Sequence, residues 1–240
     1  MSKKAVLEIS NLSKLFKKRL IINDISLKIM PGDIFGLIGA NGVGKTTLIK
    51  IILDLLKPTY GEVNIFDINS NHKNSRADLA YLPEKFQPSF LLKGHEFLEL
   101  SMGYLGKNYK KNDAIKLAEV LDLDKNALDN RVTKYSKGMG QKLGLISTFL
   151  TEAKLLILDE PMSGLDPHVR IKLKDLLEDY ARKGNTVFFS SHILSDIDEI
   201  CNRVGVIHNS ELCFSGTAKQ FKTKYKSDSL ERAFLEVIKS

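Results

Sequence analysis

The segment Gly39-Ala40-Asn41-Gly42-Val43-Gly44-Lys45-Thr46 has the residue types and spacing of a loop that closes around phosphate, G-x-x-x-x-G-K-[ST]. Glycines let consecutive backbone N–H groups turn inward onto anionic oxygens. A helix that starts there adds the positive end of its dipole. The Lys45 ammonium can reach the outer phosphates, the Thr46 hydroxyl can ligate Mg²⁺, and Thr47 beside it is a further candidate for holding the nucleotide. The pattern points to a nucleoside triphosphate with magnesium. It does not separate kinases, GTPases, helicases and transport ATPases.

A second chemical segment lies far downstream. Leu155-Leu156-Ile157-Leu158 is an apolar run closed by Asp159-Glu160. Open α/β sheets bind ligands at the carboxyl ends of their strands. Placed there, Asp159 can hold Mg²⁺, directly or through water, and Glu160 can polarise a water that attacks the γ-phosphate. A solvated strand end is the ordinary alternative. The phosphate loop upstream favours chemistry.

Both segments need a sheet to hold them. Short strands fit Val6–Ile9, Ser26–Ile29 and Ile34–Ile38, and a helix with Leu48, Ile49, Ile51 and Ile52 follows Lys45. Strands also fit Glu62–Phe66 and Leu79–Leu82. From about residue 85 to residue 152 the apolar spacing is helical, as in Ala114-Leu117-Ala118-Leu121 and Leu143-Ile146-Phe149-Leu150. Strand and helix then alternate again. Asp166-Pro167 opens a helix with an acceptor at the cap and proline at the first position. Leu173, Leu176, Leu177 and Tyr180 lie on one face of it. Thr186–Phe189, Val204–Ile207 and Leu212–Phe214 read as strands and Ile193–Ile200 as a helix. This is an α/β core interrupted by a helical insert.

Composition narrows the class. At 240 residues and 43% apolar, the chain can bury a substantial core. No run of about 18 apolar residues occurs, so no segment spans a bilayer as a helix. Glu8 interrupts the N-terminal stretch, so Met1 to Glu8 does not read as a secretory signal and the expected location is cytosolic. Cys201 and Cys213 have no metal-ligand spacing and read as reduced thiols. The net charge of +7 comes from scattered basic residues with local runs at Lys14–Arg19 and Lys219–Lys226, more often a solvated surface than a nucleic-acid groove; charge alone does not decide, and no nucleic acid is expected as partner.

Three further segments give a resemblance to the ATP-binding-cassette (ABC) family. Tyr135-Ser136-Lys137-Gly138-Met139, followed by Gly140-Gln141-Lys142, resembles the signature motif. Ser163-Gly164-Leu165-Asp166 resembles the D-loop, and Ser190-Ser191-His192 resembles the switch histidine. Phe16 stands where the family places an aromatic against adenine, and Lys57-Pro58-Thr59-Tyr60-Gly61-Glu62 matches a turn the family uses after its first helix. Taken singly, Ser136 and Asp166 can be plain helix caps, His192 a strand-end histidine and Phe16 a core residue. Their shared order supports the family reading.

The resemblance implies a RecA-like P-loop core with an N-terminal antiparallel β subdomain and a helical subdomain. It extends over roughly 6–215, with the core at about 1–84 and 153–215, the insert at about 85–152 and a short basic tail at 216–240. It implies ATP hydrolysis by two chains that sandwich two ATP molecules. The phosphate loop of one chain would meet Ser136 and Gly138 of the other, with Asp166 at the joint. A helix start led by Ser136 suits an anion physically. The other subunit would be an identical copy or a close paralogue. The implied context is a separate multi-span membrane permease on the cytoplasmic face of the cell membrane. The variant signature resembles the bacterial multidrug or polysaccharide-export type. A non-transport cassette ATPase of translation or DNA repair is the competing reading. The segment Tyr81-Leu82-Pro83-Glu84 departs from the family, which usually has glutamine there. Glu84 takes that place, with a role at magnesium or water, unless Gln87 does. The apolar stretch Phe86 to Leu92 either receives a permease helix or fills the core of the insert.

Overall fold

The computed structural model describes residues 4–239. The ends of the expected core at 1 and of the expected tail at 240 lie outside that range. Two sheets and three groups of helices make up the fold. A four-stranded antiparallel sheet has the order β2-β1-β4-β5, with β1 (Leu7–Phe16), β2 (Arg19–Ile29), β4 (Tyr60–Ile65) and β5 (Ile68–Asn69). The larger sheet has six strands in the order β10-β9-β3-β8-β7-β6. They are β3 (Ile34–Ile38), β6 (Leu79–Leu82), β7 (Leu155–Asp159), β8 (Thr186–Ser191), β9 (Arg203–His208) and β10 (Glu211–Gly216). Its pairs are parallel except β10 with β9. This is a mixed α/β fold with an antiparallel β subdomain.

The central strands are buried along their whole length, which is why they read as apolar runs rather than alternations. Alternate residues still serve opposite layers. In β7, Leu155 and Ile157 pack with α1 (Lys45–Ile52) and the antiparallel sheet, whereas Leu156 and Leu158 face the other helices. In β8, Phe188 stacks on Phe35 of β3 at 5.8 Å on the first side, while Phe189 fills the second.

Between β6 and β7 the chain forms α2 (Gly94–Tyr104), α3 (Lys111–Val120) and α4 (Lys137–Leu150). Helix α4 docks this insert. Gly144 faces the sheet so closely that a Cβ there would lie 2.7 Å from Leu82 and 2.8 Å from Phe86. After β7, α5 (Pro167–Arg182) buries Leu173, Leu177 and Tyr180 and leaves Leu176 half-buried.

Two expectations change. Strands β1 and β2 run longer than the sequence indicated. Their register slips at Ile9/Leu12, Leu12/Lys14 and Lys14/Leu15, and these irregularities break the apolar alternation that marks a strand. The segment 216–240 is also more than a basic tail. It contains α7 (Ala218–Lys224) and α8 (Leu230–Lys239), and α8 packs against α7 and against α6 (Leu194–Ile200). Phe221, Leu230, Ala233 and Val237 are buried in the main core. Phe221, Leu230 and Val237 each contribute about 1.5–3 kcal/mol by leaving water. The lysines between them masked this face in the sequence.

Candidate nucleotide site

The loop 39–46 joins the buried end of β3 to α1. Its close packing requires glycine at particular places. A Cβ on Gly39 would lie 2.7 Å from Val43 and 2.9 Å from the Ile207 carbonyl. Gly44 caps α1 at φ 116°, in the left-handed region that glycine occupies without strain. At Gly39 the loop therefore packs closely against Val43 and the Ile207 carbonyl.

A cleft of about 320 Å³ opens over this loop. Ala40, Asn41, Gly42, Gly44, Lys45, Thr46 and Thr47 line one side, and Glu84, Asp159, Glu160, Ser163 and His192 line the other. The parallel register sets the second group, because β7 runs beside β6 and β8 with their carboxyl ends together. Glu84, Asp159 and His192 follow from those three strand ends.

The polar geometry is dense. The Lys45 ammonium donates to the Gly39 carbonyl at 2.7 Å and lies 3.8 Å from Oε1 of Glu160. Burial lowers the Lys45 pKa, and Glu160, Asp159 and Glu84 act in the opposite direction. The Thr46 hydroxyl donates to Oδ2 of Asp159 at 2.9 Å. The Ser190 hydroxyl donates to the other Asp159 oxygen, and the Glu160 N–H donates to Oγ of Ser190 at 3.1 Å. His192 approaches Oε2 of Glu160 with Nδ1 at 2.7 Å. Glu160 itself sits at φ 53°, a conformation uncommon for a residue with a side chain. Ser190 belongs to the switch segment, yet spacing in the sequence gives no sign that it reaches the carboxylates. Only the pairing of β7 with β8 brings it to Asp159.

The remaining expected residues lie elsewhere. Ser136 and Gly138 do not line this cleft. Ser136 caps α4, accepting from the Met139 N–H at 3.2 Å. Gly138 packs on the Gly164 carbonyl, where a Cβ would come within 3.0 Å. Asp166 occupies the cap position of α5, but its side chain makes no capping hydrogen bond, contrary to the sequence expectation. Phe16 is 45% exposed, which removes the core alternative, and the Lys14 ammonium lies 5.1 Å from its ring centroid. Its register partner Arg19 lines a neighbouring hollow with Asn41, Gly42 and Val43. Of the two competitors downstream of Tyr81, only Glu84 lines the cleft; Gln87 lines an adjoining hollow beside Ser136, which Glu84 and Ser163 share. The stretch from Phe86 to Leu92 divides: Phe86 packs edge-on against Phe97, while Phe90 and Leu91 are exposed.

Thr46 and Asp159 present adjacent oxygens, the hard donors that suit Mg²⁺. Among the described residues no group of three or more His, Cys, Asp or Glu could hold a metal alone. An ion here would thus share its ligands with phosphate and water, as Mg²⁺ does.

A parallel sheet, a glycine-lined phosphate loop at one strand end and paired carboxylates at another define a P-loop nucleotide-binding protein. The model of the family described as ABC transporter matches residues 22–163. The chain belongs to that family. It is 35% identical over 211 residues to the bacitracin transport ATP-binding protein BcrA of Bacillus licheniformis, covering 86% of this chain and 68% of that one. It is 32% identical over 222 residues to the uncharacterized ABC transporter ATP-binding protein sll0415 of Synechocystis, covering 88% of this chain. It spans 63% of that relative's length. A solved structure titled as the ATP-binding subunit of an ABC transporter superposes with TM-score 0.89 at 28% identity, covering 97% of this chain and 99% of that one.

Proposed function

We propose that the chain is an ATP-binding and ATP-hydrolysing transporter subunit that works as a pair of chains. One observation carries this reading: Glu160 lies in the phosphate-loop cleft with one carboxylate oxygen near Lys45 and the other on His192. Lys45 would bind the outer phosphates once their charge replaces the Gly39 carbonyl as its partner. Glu160 would take the proton of the attacking water, and His192 would hold that carboxylate in orientation. Thr46 and Asp159 would hold Mg²⁺, with Glu84 near enough in the cleft to help order its water shell. When bound, the ion neutralises charge that develops on the phosphates.

Ser136 and Gly138 lie outside the cleft of their own chain. Their exposed, capped helix start suits the phosphate of a nucleotide held by a second copy or a close paralogue. The Gly164 carbonyl packs against that start at Gly138, and Asp166 would stand at the joint between the two chains. Phe16, exposed at the end of β1, would meet the adenine. No helix of the described residues is long and apolar enough to cross a membrane. A multi-span permease would therefore supply the path, with this chain attached at the cytoplasmic face. The relative named for bacitracin transport supports a transport role, and export is the direction we propose.

The test is Glu160→Gln at saturating ATP and magnesium. It should bind ATP, hydrolyse it about 10²–10⁴-fold more slowly and run as a dimer by light scattering. A variant that stays monomeric with or without its permease, or hydrolyses at the normal rate, overturns the proposal.

A further inference from the structure

A second cavity, of about 550 Å³, lies where the helical insert meets α5, away from the phosphate cleft. Its volume is in the range that small-molecule sites occupy. The apolar lining is contributed by Met102, Leu117, Phe149, Leu150, Leu176 and Tyr180. Phe149 and Tyr180 meet edge to face, with ring centroids 5.5 Å apart. The Tyr180 hydroxyl donates to the Ala153 carbonyl, so this lining has its polar demand met.

The polar lining is cationic. Lys107, Lys110, Lys116 and Lys183 stand against Asp113 and Glu152. Lys107 donates to the Thr151 carbonyl, and Lys116 lies 3.7 Å from Asp113. The ammonium groups of Lys110 and Lys183 make no ion pair or hydrogen bond among the described residues. Lys110 stands at the start of α3 and Lys183 at the end of α5, so the two unpaired cations come from different helices.

We propose that this cavity binds a small amphipathic anion of the fatty-acid class, with a carboxylate drawn by Lys110 and Lys183 and an aliphatic body on the apolar lining. Apolar walls with a few convergent charges are what such a ligand needs. A bound molecule would touch both the insert and α5 and so tie them together.

Calorimetry with dodecanoate below its micelle concentration should give saturable binding at one site per chain. Dodecyltrimethylammonium, with the same tail and the opposite charge, should bind at least about tenfold more weakly. The double variant Lys110→Glu with Lys183→Glu changes exposed residues only. It should lose about tenfold or more in dodecanoate affinity while ATP affinity stays at its original value. Four results would overturn the proposal: no dodecanoate binding, equal binding of the cationic amphiphile, unchanged affinity in the double variant, or inorganic phosphate binding as tightly as dodecanoate. Binding confined to anionic phospholipid vesicles would also overturn it, by assigning the lysines to a lipid surface.

Discussion

Nδ1 of His192 lies 2.7 Å from Oε2 of Glu160, although the two residues sit at the ends of different strands. A carboxylate only accepts, so in this contact Nδ1 is the donor. The His192 N–H also points at the same oxygen, at 3.4 Å. Glu160 is thus oriented from one side by the switch segment and from the other by Lys45.

His192→Ala should therefore slow hydrolysis by about 10²-fold, since a catalytic group displaced by about an ångström loses that much. ATP affinity should be nearly unchanged. Phosphate release and calorimetry on the same preparation separate the two effects. Equal turnover would mean that His192 does not position Glu160.

Lys45→Ala should weaken ATP binding by about 1.5–3 kcal/mol, the range for hydrogen bonds to charged groups. The lost partner is buried, so water does not replace it fully. Unchanged nucleotide affinity by calorimetry would contradict the role given to this ammonium.

Ser136→Ala removes the cap of α4 and should cost about 0.5–2 kcal/mol of stability. ATP binding to one chain should survive. Turnover should fall further than the stability loss explains if the serine also completes a partner's site. Thermal unfolding and turnover measured below the melting range distinguish the two roles.

His95 gives a pH prediction. Its ring contacts the Tyr109 hydroxyl and lies 3.8 Å from Asp129. Burial, chiefly, and Lys111 lower its pKa below 6.5, while Asp129 opposes them. The unfolded chain then binds the proton more readily than the folded one. Stability should fall as pH drops through about 6.5 toward the lower folded value. His95→Gln should flatten that part of the profile in thermal unfolding between about pH 7.5 and 5.5. An identical slope in both proteins would refute it.

Much of the site was legible because its parts are local. The loop 39–46, the run ending at Asp159-Glu160 and the Ser136 helix start each encode one turn or one strand end through neighbouring residues. Glu84 and Gln87 are three positions apart, and spacing alone left both open. The exit of the chain from β6 brings Glu84 to the cleft and leaves Gln87 beside Ser136. The helices of the tail are hidden in the sequence for a similar reason. Its buried face exists only because α6 offers a surface to cover.

The sequence by itself determined the nucleotide chemistry, the α/β alternation and the helical insert, since backbone preference and apolar period act over a few residues. Only the tertiary structure decided that Ser190 braces Asp159, that His192 meets Glu160 and that Lys45 lies near Glu160. Those relations depend on which strands lie side by side and in what register, and register is set by packing across the whole sheet.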